Sequence, residues 1–146
     1  MRTLNPWQSY RQVATATASK GQLVLMLFDG IVRFLDRSLT GFDMEDPAES
    51  NQTISNNILR AQDIIRELNR SLNMEAGGDV AMTLHRLYGY YDRRLMESNV
   101  RKDRDGIKEI IGLVTVLRDA WAAMLQGQGV GPQEVPIPGS LQYAAA

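Results

Sequence analysis

The one histidine of this 146-residue chain, His85, limits what chemistry the other polar side chains can do. A di-metal site in a helical bundle needs inward glutamates together with Glu-x-x-His pairs on two helices. Met82 stands three residues before His85, and a thioether does not replace that carboxylate. A serine nucleophile needs a base, usually histidine, held by a carboxylate. His85 lies between Leu84 and Arg86 in a helical stretch, so it reads as a surface or partly covered imidazole. Paired-carboxylate hydrolysis needs two acids facing each other across a cleft, whereas Glu67, Glu75, Glu97 and Glu109 fall on solvated helix faces. Gly77-Gly78 lacks the lysine and the preceding strand of a phosphate loop. With no cysteine in the chain, disulfides, thiolate metal sites and thiol nucleophiles are also removed. These residues predict no catalysis, no metal and no cofactor.

What remains is contact chemistry. Tyr88, Tyr90 and Tyr91 stand among Arg86, Arg93 and Arg94, residue types that dominate protein interfaces. The same types stack on single-stranded nucleic acid. A formal charge of −1 lacks the electrostatic footprint of such a binder, so no nucleic-acid partner is expected. The spacing makes Tyr91 core, leaves Tyr90 half-buried with its hydroxyl in water, and fits Tyr88 to either role.

The elements that would position these residues are helices. Ser19-Lys20-Gly21-Gln22 is a capping box that opens a first helix running to about Leu39. Its apolar residues, from Leu23–Phe28 through Ile31, Val32, Phe34, Leu35 and Leu39, cover more than one stripe, as in a helix with two partners. Asp46-Pro47-Ala48-Glu49 starts a second helix with a seam of Ile54, Ile58, Ala61, Ile65, Leu68 and Leu72. Residues 73–78 form a turn. A third seam follows at Val80, Leu84, Leu87, Tyr91 and Leu95, with Tyr88 and Met96 beside it. Asp103 or Asp105 starts a fourth helix along Ile107, Ile110, Val114, Leu117, Trp121 and Met124, and Gly127 stops it. Short connections favour antiparallel neighbours, which predicts an all-α, up-down four-helix bundle over residues 19–126.

Two flanks complete the organisation. Asn5-Pro6-Trp7-Gln8 starts a segment too short to be a stable helix alone, so residues 1–18 read as a mobile arm or a short docked helix. Residues 127–146 are rich in glycine and proline and read as a disordered tail. The longest apolar run, Leu23–Phe28, falls far short of the roughly 20 residues that span a bilayer, and no signal peptide precedes it. The expected location is the cytoplasm, without membrane insertion. The cations are 13 arginines against 3 lysines, which favours fixed and stacked contacts over a diffuse basic field.

The folded part of the chain resembles the flagellin export chaperone (FliS) family. The resemblance is carried by Tyr10 followed by Ala18-Ser19, by residues 22–31 (QLVLMLFDGI), by residues 61–68 (AQDIIREL) with Leu72, and by Leu87-Tyr88-Gly89-Tyr90. Arg94-Leu95, Asn99, Asp105 and Trp121 continue it. The specificity lies in their order and spacing together. Lys20 stands where the family usually has Pro, Phe28 where it has Tyr, and Ser98 where it has Ala.

This resemblance implies a cytosolic chaperone that binds the C-terminal segment of flagellin, prevents premature polymerisation and delivers it to the flagellar export gate, without cofactor or nucleotide. It leaves open whether an anti-sigma or regulatory factor also binds. Because their seams are wider than one core requires, Leu27, Ile31, Leu68, Leu72, Leu84, Tyr88 and Leu95 are the expected client contacts. Tyr10 and Val13, one turn apart on the arm, are expected to occupy a client groove in the free protein. The other reading of a bundle with spare apolar surface is a homodimeric helical adaptor or regulatory protein with no flagellin client.

Overall fold

A computed structural model describes residues 19–127. The arm with Tyr10 and Val13, and the tail from residue 128, lie outside the described residues. Within them run α1 (Lys20–Thr40), a 3-10 turn (Gly41–Asp43), α2 (Pro47–Arg70), α3 (Met74–Arg101) and α4 (Arg104–Gln126). α1 packs against α2 and α4, α2 against α3, and α3 against α4. The helices therefore form a closed ring of antiparallel neighbours, the expected four-helix bundle. Among the described residues no helix is long and apolar enough to cross a membrane.

The start signals act as their chemistry dictates. The Ser19 hydroxyl accepts from the Gln22 N–H at 3.2 Å and the Gln22 side chain accepts from the Ser19 N–H at 3.3 Å, so the box closes although Lys20 replaces proline. Asp46 accepts from the Glu49 N–H at 2.9 Å with Pro47 at the first position of α2. Asp103 accepts from the Asp105 N–H at 2.9 Å and so starts α4. Each bond satisfies one of the backbone donors that a helix start leaves without a partner.

α3 begins earlier than its seam suggests. Asn73 caps residues 74–77 by accepting from the Ala76 N–H at 3.0 Å, so helix forms inside the expected turn. The break falls at Gly78, whose φ of 55° and ψ of −133° suit almost no residue but glycine. At the other end Lys102 takes a left-handed conformation (φ 51°, ψ 58°) and turns the chain into α4. Its amine donates to the Asn99 carbonyl at 2.7 Å, and burial lowers its pKa.

The core is the four seams in register. Ile54, Ile58, Ala61, Ile64, Ile65 and Leu68 of α2 meet Leu27, Phe28, Ile31, Phe34 and Leu35 of α1, Leu87, Tyr88, Tyr91 and Leu95 of α3, and Ile107, Ile110, Val114 and Leu117 of α4. Phe28 sits edge-on to Trp121 at 6.2 Å, so the packing needs no tyrosine hydroxyl there. The arginine excess is used for stacking, with Arg37 and Arg60 over Phe34 at 5.7 and 5.9 Å and Arg104 over Phe42 at 5.1 Å. Tyr88 joins Tyr91 in the core, edge-on at 6.3 Å. Burial raises both phenols well above the usual tyrosine range.

Two measurements check this packing. A Cβ at Gly106 would overlap the Ser98 hydroxyl and press on the Arg94 guanidinium, whereas one at Gly112 meets open space. In urea unfolding, Gly106→Ala is expected to cost about 1–3 kcal/mol, as overpacking does. Gly112→Ala is expected to stabilise by about 0.4–1 kcal/mol. The second check is pH. Raised folded-state pKa values mean that the folded chain keeps phenol protons that the unfolded chain releases. Their contribution is therefore whole below about pH 10 and is lost as pH rises further. The urea midpoint should fall above pH 10, and should fall less steeply in a Tyr88→Phe/Tyr91→Phe variant.

Candidate functional site

Val80, Leu84, Leu87, Tyr91 and Leu95 lie in one helical phase on α3, yet the bundle covers only part of that stripe. Leu95 is 0% exposed, whereas Val80 is 46% exposed and Leu84 is half-buried. Val80 was expected in the seam, but at this level of α3 the buried position is the adjacent Ala81, 4% exposed, and Val80 lies outward of it. Leu72 at the end of α2 and Leu23 at the start of α1 are likewise half-buried, and Met74 is exposed. All of them belong to the same end of the bundle, where α1 and α3 begin and α2 and α4 finish. The opposite end is closed by Leu35, Ile54, Ile58, Leu95, Ile107 and Ile110, each at most 1% exposed.

The expected client contacts divide accordingly. Leu72 and Leu84 retain surface at the open end. Leu27, Ile31, Leu68, Tyr88 and Leu95 are all buried in the core. The breadth of their seams is consumed by the bundle itself, because α1 and α3 each pack against two neighbours. Periodicity gives the phase of an apolar residue but not whether anything lies across from it.

Between α2 and α3 runs a polar seam. Gln62, 2% exposed, donates to the Asp92 carbonyl at 3.1 Å and carboxylate at 3.0 Å, and Arg66 pairs with Asp92 at 3.2 Å. Asn99 donates to Ser55 at 3.3 Å. His85 is exposed and its Nδ1 lies 2.7 Å from the Asn69 side-chain oxygen. Leu59, Met82, Met96 and Val100 punctuate the outer side of these helices with exposed apolar surface. The sequence offered one signal for this seam, a polar Gln62 directly after the buried Ala61.

Among the described residues the other seams carry charge but no reactive constellation. Tyr90 donates to Glu109, a bond that raises its pKa, and Arg94 pairs with Glu109 at 3.1 Å and with Asp103 at 3.9 Å. Glu109 is thus an inter-helix partner and not simply a solvated acid, and Tyr90 spends its hydroxyl on it. On the α1–α4 side a recess of about 390 Å³ is lined by Asp29, Val32, Arg33, Asp36, Thr115, Arg118 and Asp119. Arg118 bridges Asp29 at 2.6 Å and Asp119 at 3.1 Å across it, so its polar groups already answer one another. Among the described residues no group of three or more His, Asp or Glu side chains could hold a metal ion. The arrangement without a partner among the described residues is the exposed apolar surface at the open end, and what such a surface can do is bind.

Residues 3–128 match the family described as flagellar protein FliS. The chain is 33% identical over 128 residues to the flagellar secretion chaperone FliS of Bacillus subtilis (strain 168), covering 88% of this chain and 92% of that one. It is 35% identical over 126 residues to the Salmonella typhimurium chaperone of the same name, covering 83% and 90%. To that of Escherichia coli (strain K12) it is 34% identical over 123 residues, covering 81% and 88%. These proteins are chaperones and not enzymes, in keeping with a bundle whose spare capacity is apolar surface. This chain belongs to the FliS family of flagellar secretion chaperones.

Proposed function

We propose that this chain binds the C-terminal segment of flagellin in the cytosol, keeps it from polymerising and delivers it to the flagellar export gate. The observation that supports this reading best is the apolar surface left at the open end, where Val80 is 46% exposed, Met74 is 40% exposed and Leu84 and Leu72 are half-buried. An amphipathic client helix laid on these residues would continue the core, and apolar burial contributes roughly 25 cal/mol per Å². Ordering the client consumes about 2–5 kcal/mol of that gain. Met74, Val80, Leu84 and Leu72 replace the five buried residues as the client contacts at this end.

The arm has a place in the same scheme. Ser19 caps α1 at the open end, and Tyr10 and Val13 precede it in sequence closely enough to reach this surface. Occupied by the arm, the groove is shielded from aggregation, at the cost of the fraction of molecules competent to bind.

Calorimetry with flagellin, beside a flagellin lacking its C-terminal segment, tests the reading. A 1:1 complex with a negative heat-capacity change, lost on truncation, is the expected result; no heat from folded protein would defeat it. Val80→Asp and Leu84→Asp should each weaken binding about tenfold or more, about 1.4 kcal/mol, with the melting temperature little changed. Leu68→Asp should instead unfold the bundle, since Leu68 is only 3% exposed. Deleting residues 2–17 should raise hydrophobic-dye binding or self-association, and no change in either would remove the arm from the scheme. A tight dimer with no flagellin binding would favour the adaptor, paired through Leu59, Met96 and Val100.

A further inference from the structure

In the Tyr88-Gly89-Tyr90 run both tyrosines have a role inside the bundle, Tyr88 in the core and Tyr90 on Glu109, whereas Gly89 has none. A glycine in the interior of a helix is destabilising relative to alanine, because it has more conformational freedom to lose. At Gly106 there is a packing reason for one, since a Cβ would overlap Ser98. At Gly89 a Cβ would meet nothing within 4 Å, so no neighbour in this chain requires its absence. One heptad to either side stand exposed apolar residues, Met82 at 43% and Met96 at 54%, and Val100 is 81% exposed. With the exposed Arg86 and Arg93 they form a stripe at residues 82, 86, 89, 93, 96 and 100. All six lie after the break at Gly78, in uninterrupted helix. At about 100° per residue the stripe runs opposite the buried face of Leu87, Tyr91, Leu95 and Ser98. Its alternating steps of four and three are those of a helix–helix seam, set on the side of α3 that faces away from its own bundle.

We infer that this stripe pairs with the same stripe of a second copy of the chain, α3 against α3 and antiparallel, about a two-fold axis at the level of Tyr91. Three observations carry this. The first is register. The steps of the stripe read the same in both directions, and an interface about a two-fold axis must be complementary to itself. With the axis at Tyr91, Met82 lies against the partner's Val100, Arg86 against the partner's Met96, and Gly89 against the partner's Arg93. The second is shape. The position without a side chain stands opposite an arginine, so the Arg93 stem fills the space over Gly89 while its guanidinium reaches water. The third is charge. Glu97 follows Arg86 by eleven residues, which places the two within about 20° of each other around the helix, on the edge that carries Tyr90. In the antiparallel register each Arg86 therefore meets the partner's Glu97, twice by symmetry. The paired stretch is about 27 Å long. A single helix pair of that length is a small interface, so the association is weak and the copies separate on dilution. It uses only the outward side of α3 and leaves Val80 and Leu84 of each copy uncovered.

The test needs no flagellin, so it stands apart from the client reading. Sedimentation of the full chain at concentrations up to roughly 1 mM should show a reversible monomer–dimer equilibrium. Arg86→Glu and Glu97→Arg should each weaken the dimer about tenfold or more, because each sets like charges opposite one another. The double variant Arg86→Glu/Glu97→Arg should recover it. Gly89→Leu should weaken the dimer as much while the melting temperature holds or rises, since that position is open in the bundle. Oxidation reads the register without interference, because the chain has no cysteine of its own. A mixture of Met82→Cys and Val100→Cys chains should cross-link into the mixed dimer severalfold faster than either chain cross-links with itself. A monomer at every concentration would overturn the inference. So would a dimer indifferent to Gly89→Leu and to the charge exchange, or either cysteine chain cross-linking alone as fast as the mixture.

Discussion

A helix cannot change the phase of its apolar stripe along its length, and that constraint on α3 organises the whole molecule. From Val80 to Leu95 every third or fourth residue points the same way. At Leu87, Tyr91 and Leu95 the other three helices bring branched and aromatic side chains against the stripe, and the core is closed. At Val80 and Leu84 the same stripe continues while its cover thins, because Leu23, Leu72 and Trp121 are themselves only half-buried. A groove of this kind is a core with one side missing. It is preorganised by the closed end, so an occupant meets side chains already fixed by their helix, and little of the binding free energy goes into ordering the chaperone.

The closed end keeps its register through a few contacts that tolerate no slippage. Gln62 is buried with both of its Asp92 acceptors in place, and leaving such an amide without partners would cost about 1–3 kcal/mol. Gly106 lets α4 approach Ser98 closely at the α3–α4 turn. The ion pairs around these points, among them Arg66 with Asp92 and Arg104 with Asp43, are largely exposed and add little stability of their own. They orient rather than hold. Structure is therefore firm where α1 ends and α4 begins. Burial thins toward the end where α1 begins and α4 finishes, and binding regions are commonly drawn from the less densely packed part of a fold.

Much of this was legible in the residues. The caps at Ser19, Asp46 and Asp103 form by local hydrogen bonds, so their signature survives without tertiary context. The seams of α2 and α4 repeat the bundle period cleanly and are buried as that period implies, apart from the half-buried Leu72, Trp121 and Met124 at the open end. The start of α3 was harder, because Asn73 is both a turn residue and an N-cap, and only the conformation of Gly78 tells where the helix breaks. Groove residues were least legible of all. Val80 and Leu95 carry the same chemistry at helical spacing, yet Val80 is 46% exposed and Leu95 is 0% exposed. Tyr88 is the converse case, an interface residue type drawn into the core by its neighbour Tyr91.

Flagellin held in such a groove would need no nucleotide to be let go. A site built from uncovered core accepts any segment that offers the right apolar stripe, so its occupancy is set by competition among the segments within reach. A tethered segment of the chaperone's own chain competes at fixed effective concentration, whereas a client competes in proportion to its free concentration. Empty chaperone would then be self-covered, and loaded chaperone would expose the displaced segment. On the proposed reading, loading would change the surface presented to the export gate without any change in the bundle. The gate could distinguish the two states by that segment alone, which makes the weak cover a source of directionality and not only a loss of affinity.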